Sequence, residues 1–431
     1  MLRKIKIFYF VLFFSPVLLK AIVYDFETIK SNSLSNSFKI QHDKIDVKIA
    51  KENINLAKTE LYPAVGVSSS IERSRKYNEY FSPSYIGEEA IVQSSGKFVT
   101  SSAYINYDLL KLKSTHHSIN AARQNHLVAD FSQRLREKEI VLQLLETYSF
   151  LRILNFKLKN YEKMQTLYEE LYLVSKKLYE NGVMAKPNFI KSAHDLAEIT
   201  TTISSTKEEK LTQLALIKKL SGMDIGRDDE FLPLSKSKGV QKDTLFENSI
   251  NSMRVKMLII QKEQELKSTK AKLLPSLSIY GKYDLYGGSQ DSYQHAFDDY
   301  RRNGYRLGIH FSWNIFGGFR VQNELKIKRL ELLQAKLAYE EAKDEYESEQ
   351  LLIKSQIEVE QNKLNSVKDS TKHTGEILEL SERLFSEGEG DKITQLVSKI
   401  NLYRTFIDEH EAKERLSYSH KKREIMNEGN L

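Results

Sequence analysis

Two adjacent histidines, His116 and His117, are the first residues here whose type could hold a metal ion. Neighbours in a helix point in different directions, which is poor chelation geometry, so both read as surface residues. His410 followed by Glu411 opens the pattern of a zinc protease. That chemistry needs a second His four positions after the first, on the same helix face, and it is missing. Gly317 and Gly318 stand between a strand-like and a helix-like segment, as in a phosphate-cradling loop, but the remaining glycines and the lysine of such a loop are missing. They read instead as an eased turn. Glu387, Glu389 and Asp391 cluster beside a glycine and could serve an exported acid–base enzyme, although nothing beyond local charge supports that. The chain has no cysteine, which excludes disulfides, thiolate metal sites, catalytic thiols and a lipid-modified N-terminal cysteine. No catalytic, cofactor-binding or metal site is expected.

Charge narrows the partners. The 431 residues include 65 Lys and Arg against 58 Asp and Glu, a formal +7. Four of those bases, Arg3, Lys4, Lys6 and Lys20, fall in the first 21 residues, which hold no acid, so the rest carries 61 against 58, or +3. That is no electrostatic footprint for nucleic acid. Arg3, Lys4 and Lys6 precede a mostly apolar run from Ile7 to Leu19, with Ala21 before a possible cleavage point; residues 1–21 read as a secretory signal peptide. No later apolar run approaches the ~18 residues of a membrane-spanning helix. An exported chain of this kind is periplasmic, extracellular or an outer-membrane barrel.

The elements come in two copies. LYPAVGV at Leu61 to Val67 answers LLPSLSI at Leu273 to Ile279, placing Pro63 over Pro275 at a shift of 212. INYDLL at Ile105 to Leu110 answers FSWNIF at Phe311 to Phe316 at a shift of 206, and this register continues through Leu178, Tyr179, Gly182, Lys186, Ser192 and Leu196 onto Leu384, Phe385, Gly388, Lys392, Ser398 and Leu402. The loop between the two anchors is therefore six residues longer in the first half, while the helical stretch keeps its length. The expected organisation is a signal peptide over 1–21, a first repeat over 22–220, a linker over 221–243 and a second repeat over 244–431.

Four segments alternate with period 2 and predict strands: Val65–Ile71, Val99–Asp108, Leu277–Tyr286 and Tyr305–Asn314. In the last, Tyr305, Leu307, Ile309, Phe311 and Trp313 make a greasy face against Arg306, Gly308, His310, Ser312 and Asn314. A soluble sandwich alternates in the same way. Lengths near ten residues and aromatic ends favour lipid, with the polar segments Glu72–Phe98 and Gly287–Gly304 as outer loops. Four strands cannot close a barrel, and an open edge is not viable in lipid, so the barrel must be shared between subunits.

Leu112–Tyr179 and Arg320–Phe385 run without Pro and predict helices of ~100 Å each. Leu151, Leu154, Leu158, Tyr161, Met164, Leu167, Leu171, Val174 and Leu178 trace one apolar stripe at coiled-coil spacing, as do Ile393, Leu396, Ile400, Tyr403 and Ile407 on a return helix. Gly182 and Gly388 close the long helices, Pro187 suits the first turn of the next, and each hairpin should end in a narrow polar tip. The return helices should reach about Leu220 and Ser417.

Four strands per chain, two long helices and a duplicated body resemble the TolC-like outer-membrane efflux protein family. The resemblance rests on the LYP and LLP turns, WNIFGG at Trp313–Gly318, and the tips YENGVMAKPNFI from Tyr179 and FSEGEGDKITQL from Phe385, in that order and spacing. It implies a fold mainly α with a β-barrel part: a homotrimer whose twelve-stranded barrel sits in outer-membrane lipid above a helical tunnel in the periplasm. It also implies a periplasmic adaptor (membrane fusion) protein and an inner-membrane pump or ATP-driven transporter as partners. By position, Tyr179, Gly182, Phe385 and Gly388 would be the adaptor-docking tips. Some members carry aspartates six and nine residues after the second tip glycine; here those positions hold Thr394 and Val397. Glu387, Glu389 and Asp391, nearer the tip, would line the entrance and favour cations. Tyr305, Phe311 and Trp313 would form the lipid-facing girdle. The competing reading is a structural coiled-coil protein of the periplasm or surface without a pore.

Overall fold

The computed structural model describes residues 22–74, 96–235 and 244–427. The expected signal peptide, most of the first outer loop and the end of the linker lie outside the described residues. In chain order the elements are β1 (Val23–Tyr24), α1 (Phe26–Asn36), α2 (Phe38–Thr59), β2 (Ala64–Ser74), β3 (Gly96–Asp108), α3 (Leu112–Glu180), α4 (Lys186–Ser221), β4 (Glu230–Phe231), α5 (Ile250–Ala271), β5 (Ser276–Ser289), α6 (Tyr293–Asp298), β6 (Arg302–Ser312), α7 (Arg320–Glu387) and α8 (Lys392–Asn427). Contacts group them into two compact units: one from 1–41, 136–243 and 348–431, the other from 42–135 and 244–347.

The second unit holds an antiparallel sheet of order β2-β3-β5-β6. Its central ladder, β3 on β5, pairs a strand of the first repeat with one of the second, with Ala103 opposite Tyr283. Helix α5 packs on the adjoining stretches of α3 and α7. His117 Nδ1 lies 2.8 Å from Gln264 Oε1, and Lys262 and Lys328 share Glu265 and Glu331 at 2.9–3.3 Å. Phe246, Val255 and Ala342 form a small core there. The expected loop Gly287–Gly304 is largely ordered structure. β5 continues to Ser289, and α6 starts where Ser292 Oγ accepts the His295 amide at 3.1 Å. Its Ala296 is buried, and a Cβ on Gly287 would collide with the Ala296 carbonyl, so the polar composition concealed a close-packed turn.

In the first unit the α3 stripe is buried as its spacing predicts: Leu151, Leu154, Leu158, Met164 and Leu171 are all under 9% exposed. Each such side chain contributes ~2 kcal/mol of burial. Its lower part meets Ile199 and Ile203 of α4 and Leu396, Ile400 and Ile407 of α8. Polar links run down the α3–α8 seam, Arg152–Glu414 at 2.6 Å, Lys157–Glu411 at 2.7 Å and Glu170–Lys392 at 3.1 Å, with residue numbers falling on one helix as they rise on the other. The two helices are therefore antiparallel. A second core surrounds Tyr148, whose hydroxyl lies 2.7 Å and 3.0 Å from the carbonyls of Leu232 and Tyr24 and so ties down the short parallel pair β1–β4. Helix α8 passes the expected Ser417 and ends at Asn427. The run of bases at Lys421–Arg423 hides the continuing apolar face, of which Ile425 is 1% exposed in the Tyr148 core.

Candidate functional site: two sheet faces and two helix tips

Period-2 alternation carries through all four strands in register. Val65 and Val67 of β2 stand opposite Ile105 and Ala103 of β3, which stand opposite Gly281 and Tyr283 of β5, which stand opposite Leu307 and Tyr305 of β6. These odd-numbered residues share one face. Its aliphatics are bare to an unusual degree, with Val67 at 80%, Leu307 at 78% and Ile309 at 70% exposure. The even-numbered face carries Ser68, Ser70, Ser102, Asn106, Lys282, Asp284 and Arg306 with several tyrosines. Tyr305 and Phe311 of the expected girdle lie on the odd face and are exposed. Trp313 sits one residue past β6, also exposed, and its indole Nε1 donates to the Leu273 carbonyl at 3.2 Å. An amphipathic ring with its polar edge tied to a turn is the arrangement favoured at a membrane boundary.

The two tips are built alike. Gly182 (φ +74°) and Gly388 (φ +82°) occupy the left-handed region that glycine enters without a Cβ penalty. The Gly182 amide donates to Tyr179 O at 2.9 Å and the Val183 amide to Leu178 O at 2.8 Å. At a shift of 206, Gly388 donates to Phe385 O at 3.2 Å and Glu389 to Leu384 O at 3.0 Å. Both are Schellman caps, and the sequence repeat is a repeat of hydrogen bonds.

Side chains around the caps differ. Tyr179 stacks on Phe189 of α4 at 5.2 Å and 4°, with Tyr172 on the same ring at 5.7 Å. Phe385 instead lies under the Lys392 ammonium at 5.5 Å. The first tip is not the polar point its composition suggests: Val183 is 74% exposed, beside exposed Tyr179. Phe189 was missed in the sequence because its partner is ten residues away across a turn.

The five residues expected at the entrance differ in their surroundings. Glu387, Glu389, Thr394 and Val397 are exposed, while their neighbours Leu396 and Ser398 are buried. Asp391 caps α8: Oδ1 accepts the Thr394 amide and Oδ2 the Thr394 hydroxyl, both at 2.7 Å. Those donors hold its carboxyl below the usual carboxylate range. The signal was legible, since an Asp standing just before an apolar-periodic stripe is a helix-start residue.

The remaining groupings have structural occupations. His116 is exposed; His117 is half-buried against Gln264. His410 stacks on Phe156 at 3.8 Å. Gly318 and Phe319 both take φ +62° in the turn from β6 to α7. His42 and Asp46, 3.2 Å apart on α2 with Asp43 beside them, are a largely exposed contact of the kind charged helix faces make. Among the described residues no helix is long and apolar enough to cross a membrane.

Comparison with known proteins agrees with the resemblance read from the sequence. Residues 29–214 match the family described as Outer membrane efflux protein. No curated protein matches. Among solved structures the chain is similar to the outer membrane protein VceC of Vibrio cholerae, with a TM-score of 0.78 at 14% identity, covering 94% of this chain and 96% of that one. It is also similar to a membrane protein from Pseudomonas aeruginosa (0.73, 12%, covering 93% and 91%) and to the CmeC outer membrane channel of Campylobacter jejuni (0.72, 12%, covering 93% and 84%). The fold, mostly helical with a strand part, is that of these proteins.

Proposed function

We propose that this chain, which bears the outer membrane efflux protein signature over residues 29–214 on the fold of outer-membrane channels, is one subunit of a trimeric export pore. Its place is the outer membrane, with the helices forming a tunnel in the periplasm. The observation that carries the reading is the sheet: an apolar face exposed on each of the four strands although Val99 on it is buried, a polar face behind it, and two outer edges, β2 and β6, with no partner in the sheet order among the described residues. Unpaired backbone groups cannot stand in hydrocarbon. Edge β2 of one copy therefore pairs with β6 of the next, and three copies close a twelve-stranded barrel with the odd face to lipid and the even face to water. No catalysis is assigned; energy comes from an inner-membrane pump or ATP-driven transporter through a periplasmic adaptor.

Docking belongs at the tips. Tyr179 and Val183, exposed beside Gly182, offer an apolar contact, and Phe385 beside Gly388 an aromatic one under Lys392, whose ammonium Glu170 pairs. Glu387 and Glu389 supply negative charge at the entrance, while Asp391 and Thr394 hold the start of α8 and Val397 lines the approach. Purified protein should give stepwise ion-conducting openings in planar bilayers. A silent protein recovered in the soluble periplasm would favour a structural coiled coil instead.

A further inference from the structure

We propose that Lys282, Asp284 and Arg306 form a basic station on the even face of the sheet, carrying one net positive charge per chain, that favours anionic solutes at this level of the pore. The inference rests on the pore reading above and adds a charge preference opposite to that of the acidic tip. Asp284 Oδ1 accepts the Ser102 hydroxyl at 2.6 Å and Lys282 Nζ at 2.9 Å, and Oδ2 accepts Arg306 Nη2 at 2.9 Å. Lys282 and Arg306 are directly opposite in the β5–β6 ladder, where like charges repel. One carboxylate shared between them offsets that repulsion and leaves one charge over.

Exposure decides which sign faces the open side. The Asp284 side chain is 18% exposed, Lys282 35% and Arg306 64%, so the acid lies down against the sheet and the cations stand above it. The neighbouring rings keep the space clear. Tyr104 lies over Gly66 and Tyr280 over Gly308, so close that a Cβ on either glycine would fall 2.5 Å or 2.8 Å from the tyrosine. Asp284 is itself opposite Gly304, where a Cβ would meet nothing within 4 Å. The acid Asp108 lies in the row of Ser278, four residues along β5 from Lys282, or about 13 Å. The acid Glu72 is further still. Within one chain both exceed the ~10 Å over which salt at 0.1 M screens charge, so the basic pair sets the charge of that chain's sheet at its own level. Three such stations around one lumen make a ring of the kind that biases pores toward anions.

The test is the reversal potential of single channels in planar bilayers under a KCl gradient centred near 0.1 M. Arg306→Gln should raise the cation-to-anion permeability ratio by about twofold, Asp284→Asn should lower it, and Arg306→Lys should leave it as in the native channel. Both shifts should shrink in molar salt. Lys282→Gln replaces Arg306→Gln, with the same expected direction, if the latter fails to assemble. Conducting variants with the native reversal potential would overturn the station and leave the pore standing. Native protein that never conducts would overturn the pore reading itself.

Discussion

His410 shows how a residue that resembles a metal ligand can serve packing instead. Its ring lies flat on Phe156, and burial, with Arg152 and Lys413 nearby, lowers its pKa to about 4. Glu414 stands 3.9 Å from Nε2, but Arg152 at 2.6 Å neutralises it. In the unfolded chain an imidazole titrates near ~6.5, so as pH falls the unfolded state takes up this proton first. Stability is therefore full above pH ~6.5 and declines toward pH 4, by up to about 3 kcal/mol. Urea unfolding in detergent at pH 7 and pH 4.5 should show His410→Gln losing less over this interval than the native protein; equal losses would contradict the assignment. The glycines of both tips were legible at this scale, because positive φ at a helix end selects glycine. The capping role of Asp391 was visible in its place just before the α8 stripe, alongside the entrance charge expected of it with Glu387 and Glu389.

Strands and helices were legible to the extent that their faces differ. β6 could be read from Tyr305, Leu307, Ile309 and Phe311 because each alternate residue is polar or glycine, and the α3 stripe because one helix face is buried throughout. β1 and β4, two residues each, are too short for any period to show, and the contacts that hold them, among them the Tyr148 hydroxyl, come from more than 80 residues away in sequence. The same alternation yields a parity prediction. Leu307→Arg or Val67→Arg places a charge on the lipid side at a cost of about 2–4 kcal/mol near the bilayer midplane, whereas Ser68→Arg points to water. The first two should sharply reduce the protein recovered in the outer-membrane fraction and the third should not. Equal effects from both faces would mean that the odd face does not meet lipid.

For the whole molecule, the duplication supplies two strands and one very long helix with its return helix per repeat and leaves both sheet and helices incomplete. The β3–β5 ladder joins the repeats within a chain, so the edges left over are β2 from the first and β6 from the second. Helix α7 likewise leaves Val359, Ile377 and Leu380 more than half exposed, a stripe that the described residues of its own chain do not cover. Both features call for further copies of the same chain. The absence of native cysteine gives a clean background for the most direct test, in which Ser69→Cys on β2 is combined in turn with Tyr305→Cys, Leu307→Cys or Ile309→Cys on β6 and oxidised in native membranes. One pairing should convert the protein to a covalent species of three chains and go no further, since a closed barrel has no free edge. Chains that stay uncoupled in every combination, or a ladder that runs beyond three, would contradict the closed trimeric barrel.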